Sequence, residues 1–131
     1  MPWPLRRRPV SLGERGEAIA RRTLRRAGMK VLARNYRCPA GEADIIALET
    51  KTRKLIGAET IAFVEVKTRS SDRYVQPSAA VDDRKRRQLR RVASYYLAHH
   101  DAAGFALRFD IVSIVIRDGQ EPEIEHIRDA F

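Results

Sequence analysis

Residues 61–69 read IAFVEVKTR, apolar and β-branched enough for a buried strand, yet Glu65 and Lys67 stand inside the run. Burying charge is costly unless the charges are paired or put to use. Side chains two apart in a strand share a face, so Glu65 and Lys67 project together while Val64, Val66 and Thr68 project to the other side. Any fold for this chain must therefore give one β-strand a polar site on an otherwise apolar element. The triplet by itself is weak, since Glu-x-Lys arises by chance in roughly half of chains this long. A same-face ion pair on a solvated sheet is its plain alternative.

The surrounding pattern supplies the elements. Residues 1–10, with three prolines and a basic triplet at Arg6, Arg7 and Arg8, read as a flexible arm, and residues 11–131 as a single domain. Ser11 with Glu14 makes a capping box for a helix running to about Ala27, where Gly28 supplies the stop. Gly13, Gly16, Ala20, Leu24 and Ala27 form its small-residue packing face, with Glu17 at the border. Strands are expected at 30–35 and 43–48, joined by a turn through CPAGE, and a polar hairpin connection leads to the strand bearing Glu65 and Lys67. A loop over 69–78 precedes a helix at 82–100, capped by Asp82 or Asp83, and strands at 107–116 and 123–127 complete the order αβββαββ. The fold class is α/β, with a central mixed β-sheet flanked by helices.

Composition narrows the partners. A net charge of +9 is concentrated in Arg6–Arg8, in Arg21, Arg22, Arg25 and Arg26, and in RKRRQLRR over 84–91, which favours a polyanion. Nucleic acid fits better than an anionic membrane surface, because no amphipathic segment sets aromatic anchors opposite its arginines. No apolar run reaches the length of a membrane span and the N-terminus lacks a secretory hydrophobic segment, so no membrane insertion and a cytoplasmic setting are expected. Cys38 is the one cysteine, which leaves no internal disulfide and no multi-thiolate zinc site. A metal here would be held by carboxylates, which points to Mg2+ or Mn2+.

Asp44 completes a constellation. Alternation places it on a face with Ile46 and Leu48, and a hairpin tip near Lys54 and Leu55 sets Asp44 opposite Glu65 in the antiparallel register. Asp44, Glu65 and Lys67 then converge at the end of the hairpin remote from its tip, within reach of Glu17 if the first helix crosses that end. Two carboxylates and a lysine suit metal-assisted phosphodiester hydrolysis, with Asp44, Glu65 and the Val66 carbonyl as metal ligands and Lys67 stabilising developing negative charge or positioning the water. A buried ion-pair cluster without catalysis is the alternative.

Gly16-Glu17 with Ala20 and Leu24, NYRCPAGEADII over 35–46, FVEVKTR over 63–69 and RKRRQL over 84–89 together resemble the YraN family of uncharacterised bacterial proteins. The resemblance covers about Gly13 to Val115. It implies a restriction-endonuclease-like fold of the PD-(D/E)xK superfamily, similar to archaeal Holliday-junction resolvases, with Asp44, Glu65 and Lys67 in the catalytic positions and Glu17 as the first-helix glutamate. The chain departs from the pattern in three places. Glu42-Ala43 precedes Asp44 where the superfamily name has proline, the segment LETKTRKLIGAET over 48–60 is longer than the family's tight turn, and Val75 stands where glycine is expected.

On the second helix, Arg84, Arg87 and Arg91 are spaced to track phosphates, and Lys85 and Gln88 turn toward the site. Arg69 and Tyr74 are further candidate nucleic-acid contacts, Tyr74 by stacking on a base. The expected activity is a metal-dependent DNA endonuclease, selective for branched DNA, and a symmetric homodimer would suit junction cutting. Its rivals are a non-catalytic nucleic-acid-binding module and an assembly partner that keeps the fold without turnover.

Overall fold

The computed structural model describes residues 9–70 and 81–131. Residues 1–8 of the N-terminal arm, the loop residue Tyr74 and the expected glycine position at Val75 lie outside the described residues. Helix α1 (Leu12–Arg26) begins where Ser11 Oγ accepts the Glu14 N–H at 3.1 Å and ends at Ala27, before Gly28 takes φ +88°. It buries Gly16, Ala20 and Leu24, while Gly13, expected on the same face, is exposed. Gly16 is required by distance, since a Cβ there would lie 1.8 Å from Thr68 Oγ1.

Strands β1 (Met29–Cys38), β2 (Gly41–Glu49) and β3 (Thr60–Arg69) form an antiparallel meander. The hairpin connection is not purely a loop: a five-residue helix, α2 (Thr52–Ile56), closes on Gly57 at φ +78°. Thr52 Oγ1 ties it down by hydrogen bonds to the Glu49 and Ala58 carbonyls and to Thr60 Oγ1. Leu55 and Ile56 project from it into solvent.

Helix α3 (Asp83–His99) carries the chain across to β4 (Ala106–Val115), which lies parallel to β3, and β5 (Glu123–Ile127) returns antiparallel to β4. Asp82 caps α3, its Oδ1 accepting the Lys85 N–H at 2.9 Å. The result is a five-stranded mixed sheet in the order β1-β2-β3-β4-β5. The helices lie on its two faces, and the αβββαββ order stands apart from the added α2.

Each face has its own core. Ala20 and Leu24 of α1 pack with Ile45, Ala47, Ala62, Val64, Val112 and Ile114. Leu89, Val92, Ala93 and Tyr96 of α3 pack with Ile46, Ile61 and Phe63. Successive strand residues thus feed opposite cores, which explains why β2 and β3 read as continuous apolar runs. Among the described residues, no helix is long and apolar enough to cross a membrane.

Candidate functional site

The β2–β3 register has the expected constant sum, from Glu49 opposite Thr60 to Ile45 opposite Val64. One step further brings Asp44 level with Glu65, but there the ladder stops and a side chain takes over. Asp44 Oδ2 accepts the Val66 N–H at 2.8 Å, so a carboxylate sits where the two strands part. Alternation does not carry through to Asp44 as expected. Ala43 and Ile46, three residues apart, both belong to the α3-side core, and Asn35, bracketed by the Arg34–Ile45 and Tyr36–Ala43 pairs, has φ +50°. The meander is kinked at Asn35 and Asp44.

Glu65 is only 5% exposed, and among the described residues its Oε2 has no hydrogen-bond partner. Its Oε1 faces two ammonium groups, Lys67 Nζ at 3.5 Å from β3 and Lys85 Nζ at 3.7 Å from α3. Burial, then the nearby Asp44 charge, pushes its pKa up to about 7 against the opposing pull of Lys85 and Lys67. Glu17, on α1, is likewise raised, first by burial and then by Asp44, while Arg21 and a hydrogen bond with Asn35 oppose the rise. The structure therefore brings Asp44, Glu65, Lys67 and Glu17 into one electrostatic group, with Lys85 inside it rather than on its rim.

Among the described residues, no set of three or more His, Cys, Asp and Glu forms a ready metal cage. The donors nonetheless suit a hard cation. An orphaned carboxylate oxygen beside a second carboxylate is the kind of all-oxygen, partly built site that Mg2+ or Mn2+ occupies together with water and phosphate oxygens.

The basic run on α3 divides into two. Asp82, Arg84, Lys85, Gln88 and Arg91 line a surface hollow of about 350 Å³. Arg86 and Arg90 turn the other way, stacking over the Phe131 ring at 5.2 and 5.7 Å, with Arg90 also over Phe109. Arg87 is exposed beside the hollow without lining it, while Arg84 and Arg91 of the expected stripe do line it. Gln88 is fixed by packing against Gly41, where a Cβ would approach Gln88 Nε2 to 2.5 Å. Arg69 ends β3 half-buried, its carbonyl accepting the Ile116 N–H.

A second charged cluster escaped the sequence reading. Arg108, 12% exposed at its side chain, binds Asp110 through Nε and Nη2 at 2.8 and 2.9 Å and Glu49 through Nη2 at 2.5 Å. Fully buried Asp110 also accepts from His126 Nε2 at 2.9 Å and from the Asp129 N–H at 3.1 Å. Arg128 reaches Glu49 at 3.5 Å. The available signal was Arg108 and Asp110 two apart in a strand, the spacing of Glu65 and Lys67.

The chain matches the family described as Uncharacterised protein family UPF0102 over residues 16–114. It is 43% identical to a UPF0102 protein of Nocardia farcinica, over 92% of this chain and 89% of that protein. It is 43% identical to one of Moorella thermoacetica, over 91% and 93%, and 45% identical to one of Geobacter metallireducens, over 92% of each. The matched span runs from the glycine packed on Thr68 to the β4 core and takes in every residue around Glu65. The chain belongs to the uncharacterised protein family UPF0102, the YraN family to which its motifs pointed.

Proposed function

We propose that this chain is a metal-dependent DNA endonuclease of the restriction-endonuclease-like type, hydrolysing phosphodiester bonds at the Asp44, Glu65 and Lys67 cluster and selective for branched DNA. The observation that carries this reading is the buried Glu65 carboxylate, with one oxygen orphaned and the other facing two lysines from different elements. The buried Asp110 network, by contrast, has both carboxylate oxygens bonded, whereas Glu65 Oε2 has no partner among the described residues and lies near a second carboxylate.

Mg2+ or Mn2+ would be held by Asp44, Glu65 and the Val66 carbonyl, and when bound it supplies Lewis-acid polarisation of a phosphoryl oxygen and a more acidic water. The chain's own groups do the rest. Asp44, by accepting the Val66 N–H, fixes the backbone of the residue whose carbonyl is the third donor. Lys67 offers positive charge where the phosphorane becomes more negative, and Lys85 draws the raised Glu65 pKa back down, favouring the ionised form. Glu17 would orient a water from the α1 side, and Arg84 and Arg91 would hold phosphates beside the scissile one. The superfamily's usual outcome, a 5′-phosphate and a 3′-hydroxyl, is expected, as are a cytoplasmic setting and a symmetric dimer for paired cuts.

The test is cleavage of labelled four-way-junction, flap, single-stranded and duplex DNA with Mg2+ or Mn2+, comparing wild type with Asp44→Ala and Lys67→Ala. Cutting lost in both variants with binding retained supports the endonuclease. Binding without cutting on every substrate and with either metal overturns it in favour of a non-catalytic module.

A further inference from the structure

The basic residues of α1 play no part in the chemistry above, yet they form a second organised surface. Arg21, Arg22, Arg25 and Arg26, with Ala18, line a hollow of about 440 Å³. Arg34, exposed on the neighbouring strand β1, lies close enough to Arg21 to act on its charge. Burial, then Arg34, lowers the Arg21 pKa, and Glu17 is the anion that offsets them. Several guanidinium groups are thus held together on two elements with one carboxylate among them, an arrangement that repels itself until an anion arrives.

Placement identifies the anion. Arg21 and Arg25 follow Glu17 by one and two turns of α1, so the hollow begins at the acidic end and leads away from it. The hollow lined by Arg84, Lys85, Gln88 and Arg91 begins at the same end but belongs to α3, on the other face of the sheet. Four residues of helix rise about 6 Å, close to the axial advance of two phosphates of one strand at about 3.4 Å each. Among the described residues, the lining of the α1 hollow has no aromatic or large aliphatic side chain to enter a lipid layer, which favours a nucleic-acid backbone over a membrane surface.

We propose that Arg21, Arg22, Arg25 and Arg26 of α1, together with Arg34, bind the phosphates of a second nucleic-acid arm, which leaves the Asp44 and Glu65 end on the face opposite the arm held by α3. The position of the arm rests on the endonuclease reading; the phosphate binding does not. A straight duplex engages one face at a time, whereas a branched or sharply bent one engages both.

The experiment measures binding of four-way-junction DNA and of anionic phosphatidylserine vesicles across a salt series. It compares wild type, Arg21→Ala/Arg25→Ala, Arg84→Ala/Arg91→Ala and the combined variant, with cleavage followed in parallel and thermal melts confirming the fold. Each double substitution is expected to flatten the dependence of log K on log salt for the junction by about 2, at about 0.9 per phosphate contact. The combined variant should show the sum. A wild-type junction slope in Arg21→Ala/Arg25→Ala, or a loss confined to vesicles, overturns the proposal. Flattened slopes in a protein that cuts nothing would support the α1 surface while overturning the endonuclease reading.

Discussion

Strand β3 carries Glu65 and Lys67 two residues apart, and β4, lying beside it, carries Arg108 and Asp110 two residues apart. The local signal is the same, an opposite-charge pair on one face of a buried strand. The outcomes differ in completion. Around Asp110 both carboxylate oxygens accept hydrogen bonds from Arg108, and His126 and the Asp129 backbone add two more. Burial pushes the Asp110 pKa up, but those partners override it and hold the group below the ordinary carboxylate value. Around Glu65 the balance runs the other way: burial and Asp44 prevail, and one oxygen has no partner among the described residues. A completed buried network is a fastening, here joining β2, β4, β5 and the residues after it. An incomplete one is where the proposed metal would complete the coordination.

The sharpest way to break this comparison is to exchange consequences. Lys67→Ala should lower cleavage by about 10³-fold while changing stability little, because Lys67 is partly exposed and 3.5 Å from Glu65. Single-turnover kinetics beside a urea titration would check it. Asp110→Ala should do the converse, costing about 3–5 kcal/mol by leaving His126 without its acceptor and buried Arg108 with Glu49 alone. A urea midpoint equal to wild type would show that the network is not a fastening.

The two carboxylates should also give stability opposite dependence on pH. Glu65 has a folded pKa near 7 against an ordinary 4.5, so the folded state holds its proton longer than the unfolded chain does. Its contribution is neutral below about pH 4.5, becomes unfavourable as pH rises to 7, and then levels off. Glu65→Gln should therefore stabilise the metal-free protein above pH 7 by up to about 3 kcal/mol and scarcely at pH 4. Asp110, held below its ordinary 3.8, stabilises above that pH, and its contribution is lost as pH falls through its folded value. Chemical unfolding from about pH 2 to 8.5 reads both signs, and a Glu65→Gln gain that does not grow with pH would contradict the assignment.

The smallest expected effect concerns Lys85. Because it lowers the Glu65 pKa, Lys85→Ala should move the rising limb of the cleavage pH profile upward by a fraction of a unit. A shift in the opposite direction would place Lys85 outside the electrostatic group.

Much of this was legible along the chain. Caps at Ser11 and Asp82, the stop at Gly28 and the constant sum that sets Asp44 level with Glu65 follow from turn chemistry and strand period, which are local rules. The helical turn at Thr52–Ile56 was missed because its anchor is Thr52, whose partners Glu49, Ala58 and Thr60 meet only once the hairpin closes. The division of the α3 arginines was missed for a similar reason, since Phe109 and Phe131 capture Arg86 and Arg90 from distant positions.

By itself the sequence determined the α/β order, the two apolar runs at the centre of the sheet and the family to which the chain belongs. It also located Asp44, Glu65 and Lys67 together, because hairpin register is set by neighbours in the chain. Only the tertiary structure decided which buried charges are complete. Asp110 takes partners from 16 and 19 residues away and Arg108 one from 59, while Glu65 meets Lys85 from a helix on the far side of the loop and keeps one oxygen orphaned. The satisfaction of a buried charge is a sum over everything that surrounds it in space, and no spacing along one strand contains that sum.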